Sequence, residues 1–270
     1  MLVRSWNLFH GNTTPPGRQA YLDEMVRVAV ADDPEMVFLQ EVPAWALGRL
    51  GEWAGGMREL HALAARPVLG PLAIPAVLGR ALTASNHGLF RSAFAGQANA
   101  ILLAPSLRVL STETTVLNPT RFRDAQARWL GLDWLARLAW GKERRVCQAV
   151  RLDCGDGRTM LVANMHCTSY PPDQRLPDAE LLRAATFAGA VARPDDIVVL
   201  AGDFNTSYLR SRTLHDLCSN EWGFSQAGPA IDHILVRGAV VSPVHRWPDA
   251  RREHAGRLLS DHAPVEVEIT

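Results

Sequence analysis

The chain has 270 residues, 47% hydrophobic and 21% charged, with 28 basic and 28 acidic residues and no formal net charge. This balance excludes a disordered or collagen-like chain, and at this size roughly three quarters of the unfolded surface can be buried, so no disulfide or metal is needed to hold a fold. Neutrality makes a long polyanion a poor principal partner, although every basic residue but Lys142 is Arg, the better bidentate binder of phosphate.

Apolar runs predict strands at Leu2–Trp6, Met36–Gln40, Ala100–Ala104, Arg108–Thr115, Arg145–Leu152, Met160–Met165, Ile197–Ala201, Ile231–Val236 and Pro264–Ile269. Helical patterns lie between them. Gly17–Ala31 carries Tyr21, Met25 and Val28 at helical spacing, and Pro43–Trp53 starts with proline near a first turn. Thr120–Trp140 reads as one long Trp-rich helix, and Asp178–Ala192 as a helix stopped by Arg193-Pro194. Residues 45–98, rich in Ala, Gly and Pro, carry no assignment. Strands mixed with helices, without regular βα alternation, predict an α+β architecture. No repeat or linker divides it, so one domain over residues 1–270 is expected.

Cys147, Cys154, Cys167 and Cys218 have neither C-x-x-C nor zinc-ligand spacing and read as reduced, packed thiols. The chain opens in a strand pattern rather than a signal segment. Its most apolar uncharged run, Pro67–Gly79, is short and broken by three prolines. A cytoplasmic protein without obligate membrane association is expected.

Several strand-like runs end on a residue able to bind a metal or move a proton. SWN ends in Asn7, VFLQE in Glu41 and LVANMH in His166, while IVVLAGDFN places Asp203 and Asn205 after an apolar run. Asp232 in IDHILV and Asp261 in LSDHAPVEV are each followed by a histidine. Carboxylates beside apolar strand residues are expensive unless a cation compensates them, and a hard divalent ion that takes carboxylate and amide oxygens is the natural one. Singly, each piece has a plainer role: a Glu at a strand end is usually a surface residue, Asp-Phe-Asn suits a turn, and Asp-His suits a loop or cap.

In their joint order these motifs resemble the endonuclease/exonuclease/phosphatase superfamily, from Asn7 to Val267, most specifically at GDFN (202–205), SDHAPV (260–265) and LQE (39–41). The resemblance implies a four-layer α/β/β/α sandwich of two mainly antiparallel sheets flanked by helices. It implies cleavage of phosphate esters with a divalent metal, Mg²⁺ with Mn²⁺ as the alternative. It also assigns roles. Glu41 is the principal metal ligand, with Asn7 assisting and Asp261 close to the metal. Asp203 and Asn205 contact the attacking water and the scissile phosphate, Asp203 as the base. His262 binds or protonates the phosphoryl group, Asp232 sets its tautomer and charge, and His166 matches the second histidine of the deoxyribonuclease-like members.

Two departures stand out. Those members pair the second histidine with a Glu that is not evident here, Asn99 being the nearest polar residue in that region. Only Thr206–Ile231, with Arg210 and Arg212, separate GDFN from Asp232, which argues against abasic-site repair.

Arg121–Arg145 holds seven basic residues against three acidic ones, with Trp129, Trp134 and Trp140 interleaved. It reads either as a nucleic-acid surface or, preferably, as an amphipathic helix whose tryptophans pack inward. One arginine of 246–257 could reach a substrate phosphate. Pro67–Gly79 reads as a packed or flexible loop in preference to a membrane-touching one. His10 and Asn12, just beyond Asn7, could line the site, whereas His61, His87, His215, His245 and His254 show no ligand spacing. His233 and Cys167 should point away from Asp232 and His166.

The leading expectation is a metal-dependent hydrolase of phosphate esters, a phosphodiesterase or nuclease working by in-line attack of water, with a phosphate-ester substrate and nucleic acid admitted as a partner. The alternatives are a phosphomonoesterase or phospholipase/sphingomyelinase-type hydrolase, and a non-catalytic binding protein that keeps the fold. The last is disfavoured because every ligand-type residue is present.

Overall fold

A computed structural model of the chain describes all residues except 18, 67, 70, 71, 74 and 86–95. The main strands are β1 (Leu2–Asn7), β2 (Met36–Val42), β3 (Arg58–Ala65), β4 (Gln97–Leu103), β5 (Arg108–Val116), β6 (Val146–Asp153), β7 (Thr159–His166), β8 (Ile197–Asp203), β9 (Asp232–Arg237), β10 (His245–Arg246) and β11 (Val265–Glu268). The helices are α1 (Leu22–Ala29), α2 (Leu50–Trp53), α3 (Ala76–Ser85), α4 (Thr120–Trp129), α5 (Trp134–Gly141), α6 (Arg175–Val191) and α7 (Arg212–Leu217). They fall into two compact units, Met1–Leu107 with His245–Ile269, and Arg108–Val244 with Thr270.

The first unit is built on a six-stranded sheet of order β10-β11-β1-β2-β4-β3. Only β1 and β2 run parallel, and α1 supplies the crossover that a parallel pair requires. Leu22, Met25, Val26 and Ala29 of α1 pack on Val37 and Leu39 of β2 and on Ala100 and Leu102 of β4. The second unit repeats the scheme. Its five strands run in the order β9-β8-β7-β6-β5, only β7 and β8 are parallel, and α6 makes the crossover. Leu181, Ala184, Ala185 and Ala188 of α6 cover Leu161, Ala163 and Met165 of β7 and Val198 and Leu200 of β8.

The α+β class is therefore the one expected, and each of the nine predicted strands is present with its ends shifted by a few residues. Three expectations need correction. The Pro43–Trp53 helix is a 3₁₀ turn at Ala44–Ala46 followed by the short α2, with Gly48 (φ +82°) between them. The long Thr120–Trp140 helix is two helices: Gly131 (φ +62°) ends the first, and Asp133 caps the second by accepting from the Ala136 amide at 2.7 Å. Of its three tryptophans only Trp140 is buried, so the inward-packing reading fails for Trp129 and Trp134. Residues 45–98 hold β3, which pairs along β4 from Arg58–Leu103 to Ala65–Gln97, and α3. His87 and part of Pro67–Gly79 lie outside the described residues.

Candidate active site

In the first unit, the C-terminal end of the parallel pair positions Asn7 and Glu41. Asn7 lies opposite Gln40 across the pair, and the Leu8 amide continues the ladder to the Gln40 carbonyl at 3.0 Å. Against β4, Leu39 faces Ala100 and Val42 faces Ala98, so one extra residue is accommodated between them. Glu41 sits in this bulge at φ +52°, a conformation few non-glycine residues adopt. Its Oε2 is 2.8 Å from Nδ1 of His10, which is buried and itself at φ +55°.

The Ser260-Asp261-His262 loop is tied to the same strand end. Ser260, at φ +63°, donates through Oγ to the Asn7 carbonyl at 2.7 Å and accepts from the His262 amide at 3.1 Å. The Trp6 indole donates to the His262 carbonyl at 2.9 Å. Arg252, buried, donates to the carbonyls of Leu259 and Ser260 at 3.1 and 2.9 Å. Asp261 is exposed, and Glu41 and His262 are half-buried.

The arginines of 246–257 are largely occupied with the protein itself. Besides Arg252, Arg251 pairs with Asp32 and Glu266 and lies over the Trp247 ring, while Arg257 donates to the carbonyls of Pro15 and Pro16.

In the second unit, the equivalent strand end carries a row of three. His166 is the register partner of Asp203 across the parallel pair, and Asp203 is the partner of Asp232 across the antiparallel one. His166 Nε2 is 3.5 Å from Asp203 Oδ2. Gly202 is needed here because a Cβ at its φ of +140° would lie 1.9 Å from the Met165 carbonyl oxygen. Beyond Asp203, Asn205 takes φ +51°, which Asn tolerates. Its amide donates to Asp203 Oδ1 at 2.9 Å, and its side-chain Nδ2 donates to the Cys167 carbonyl at 2.9 Å.

Alternation sends the neighbours the other way, as expected. Cys167 joins the core beneath α6, where burial pushes its thiol well above the usual range. His233 packs on Phe204 and bonds the Thr206 carbonyl at 3.0 Å, and burial lowers its pKa.

Sequence reasoning missed three supporting residues. His166 meets Arg145, whose Nη1 lies 2.9 Å from Nδ1 and 3.2 Å from Nε2, while Nη2 pairs with Glu143 at 2.8 Å. Arg145 had been counted with the basic stretch; its position at the mouth of an apolar strand, two residues after Glu143, was the available signal. Glu180 of α6 is fully buried and accepts from the amide and hydroxyl of Thr168 at 2.6 and 2.8 Å and from the Trp140 indole at 2.7 Å. Burial raises its pKa against the pull of Arg145 and these donors. Arg252, the third, lies in sequence among Asp249, Arg251 and Glu253 like a surface arginine and shows its role only through the carbonyls that surround it.

Asn7, Glu41 and Asp261 offer amide and carboxylate oxygens. This donor chemistry fits a hard divalent ion such as Mg²⁺ or Mn²⁺.

The sequence profile of the Endonuclease/Exonuclease/phosphatase family matches residues 5–262, across both units. The chain belongs to this family of phosphate-ester hydrolases. No curated protein matches it in sequence. Among solved structures it is similar to D. rerio TDP2 complexed with a single-strand DNA product (15% identity, TM-score 0.64, covering 100% of this chain and 98% of that one). It is equally similar to Bacteroides thetaiotaomicron mannosyl-6-phosphatase Bt3783 (16%, TM-score 0.64, 100% and 99%). A functionally unknown conserved protein from Enterococcus faecalis V583 matches as well (16%, TM-score 0.64, 100% and 99%). At these identities the likeness shows the shared fold.

Proposed function

We propose that the chain is a divalent-metal-dependent phosphodiesterase and that the whole of residues 1–270 serves as one catalytic domain. The observation that supports this most is the row His166–Asp203–Asp232 at the ends of three adjacent strands, with Asn205 bonded to Asp203. Asn7, Glu41 and Asp261 are the residues that would hold the Mg²⁺ or Mn²⁺. When bound, the ion supplies neutralisation of the charge that builds on the phosphoryl oxygens.

The remaining roles fall to the chain's own groups. Asp203 accepts the proton of the attacking water, its carboxylate held in place by the Asn205 amide. Asn205, anchored on the Cys167 carbonyl, orients the scissile phosphate. His262 binds or protonates the phosphoryl group, and Asp232 adds a second carboxylate to the row. His166 carries its hydrogen bond to the phosphoryl oxygens.

The experiment is hydrolysis of a chromogenic phosphodiester beside a phosphomonoester, with and without EDTA, by the wild type and by Glu41→Ala. Diester cleavage that needs the metal and Glu41 supports the reading. Activity that survives both EDTA and the substitution overturns the metal dependence, and activity confined to the monoester moves the enzyme to the phosphatases.

A further inference from the structure

Trp129, Trp134, Leu135 and Leu138 are 81%, 67%, 51% and 63% exposed, and all fall within ten consecutive residues. Trp129 ends α4 and Trp134 starts α5, so the two indoles flank the connecting turn. On α5, Trp134 and Leu138 are one turn apart, and Leu135 and Leu138 lie three apart, so these side chains neighbour one another on the helix surface. They are not displaced core. The hairpin packs its own interior of Ala127, Leu132, Ala136 and Trp140 against Leu176 of α6, and Trp140 satisfies its indole on Glu180. An eight-residue helix that is apolar on its buried and its exposed sides is built to leave water on both.

The charges around this surface have one sign in excess. Arg121, Arg128, Arg137, Lys142 and Arg144 are exposed, against only Asp124 and Asp133 among exposed acids of residues 120–145. The Asp133 carboxylate is already engaged in capping α5.

We propose that the α4–α5 hairpin is a peripheral membrane-binding element that docks on an anionic phospholipid surface. The indoles sit at the headgroup level, the two leucines enter the acyl boundary, and the surrounding guanidinium and ammonium groups meet lipid phosphates. A single nucleic-acid strand is the weaker fit, because Leu135 and Leu138 offer bases no stacking face. No helix among the described residues is long and apolar enough to cross a membrane, so the element lies on the surface.

The test is cosedimentation with vesicles of phosphatidylcholine alone and of phosphatidylcholine with phosphatidylglycerol, followed also by tryptophan fluorescence. The wild type is expected to bind the anionic vesicles with a blue shift, to bind the neutral ones about tenfold more weakly, and to be released by salt. Trp134→Ser with Leu138→Ser removes exposed side chains only and is expected to weaken binding about tenfold or more, with an unchanged circular dichroism spectrum. Failure of the wild type to bind anionic vesicles overturns the proposal, as does binding that the double substitution leaves intact. So does a solution dimer that the same substitutions dissociate, or their loss of binding to a single-stranded oligonucleotide in place of vesicles.

Discussion

Arg145 Nη1 lies 2.9 and 3.2 Å from the two ring nitrogens of His166, the histidine for which the sequence shows no glutamate partner of the deoxyribonuclease-like kind. Both distances are met only with the guanidinium lying over the imidazole ring, where it holds a fixed positive charge against it. Arg145→Met is expected to lower kcat for phosphodiester hydrolysis about 10- to 100-fold, with Arg145→Lys recovering little because a point charge cannot reproduce the planar fork. Steady-state kinetics beside a melting curve decides it. An unchanged kcat at an unchanged Tm would remove Arg145 from the reaction.

Metal affinity should track Glu41 and the ring against it. Mn²⁺ titration by calorimetry is expected to show binding to the wild type and none to Glu41→Gln. His10→Ala, which removes the ring 2.8 Å from the carboxylate, is expected to weaken binding by about tenfold. Equal affinity in all three proteins would place the ion elsewhere.

Gly202 has no tolerance for a side chain. A methyl group there would meet the Met165 carbonyl at 1.9 Å in a backbone conformation unfavourable to any L-residue. Gly202→Ala is expected to destabilise the fold by about 3 kcal/mol or more, read as a drop in the urea midpoint. A midpoint that stays in place would show that β7 and β8 can separate without loss.

Acid stability should depend on Asp196. Burial by itself would raise its pKa, but hydrogen bonds from Arg151, Thr159 and the Arg193 amide prevail and hold it at about 2, below the ordinary 3.8. A carboxylate whose folded-state pKa is depressed contributes stability above its unfolded value and loses it as the pH falls toward the folded one. Between pH 4 and 2 the wild type is therefore expected to lose about 2 kcal/mol through this group. Asp196→Asn is expected to be less stable at neutral pH with a flatter acid limb in denaturant midpoints. Parallel pH profiles would rule the carboxylate out as a source of the slope.

What the sequence disclosed follows from where its signals are local. Strand ends such as VFLQE and AGDFN announce themselves because an apolar run stops abruptly on a ligand-type residue, and GDFN also needs a glycine for a contact made by its own strand pair. Strand β3 was illegible because RELHALAA alternates weakly and is half-exposed along much of its length. The break at Gly131 was hidden by an apolar and basic pattern that continues on both sides of it. Glu180 escaped for another reason: a buried charge is defined by its partners, here Thr168 and Trp140, 12 and 40 residues away in sequence, and nothing in the residues next to it marks the burial.

Glu41 stands where it does because β2 changes parity. Val37, Leu39 and Val42 all belong to one apolar cluster, although an uninterrupted strand would turn Val42 to the opposite side of the sheet from the other two. The inserted residue lets the chain resume the same apolar face after the acid has been set out of the ladder. The carboxylate and the core are thus written in different phases of one strand, and neither constrains the other's choice of side chain. Removing any single residue between Leu39 and Val42 would merge the two phases, leaving the sheet free to pair regularly only by pulling either Glu41 or Val42 from its place.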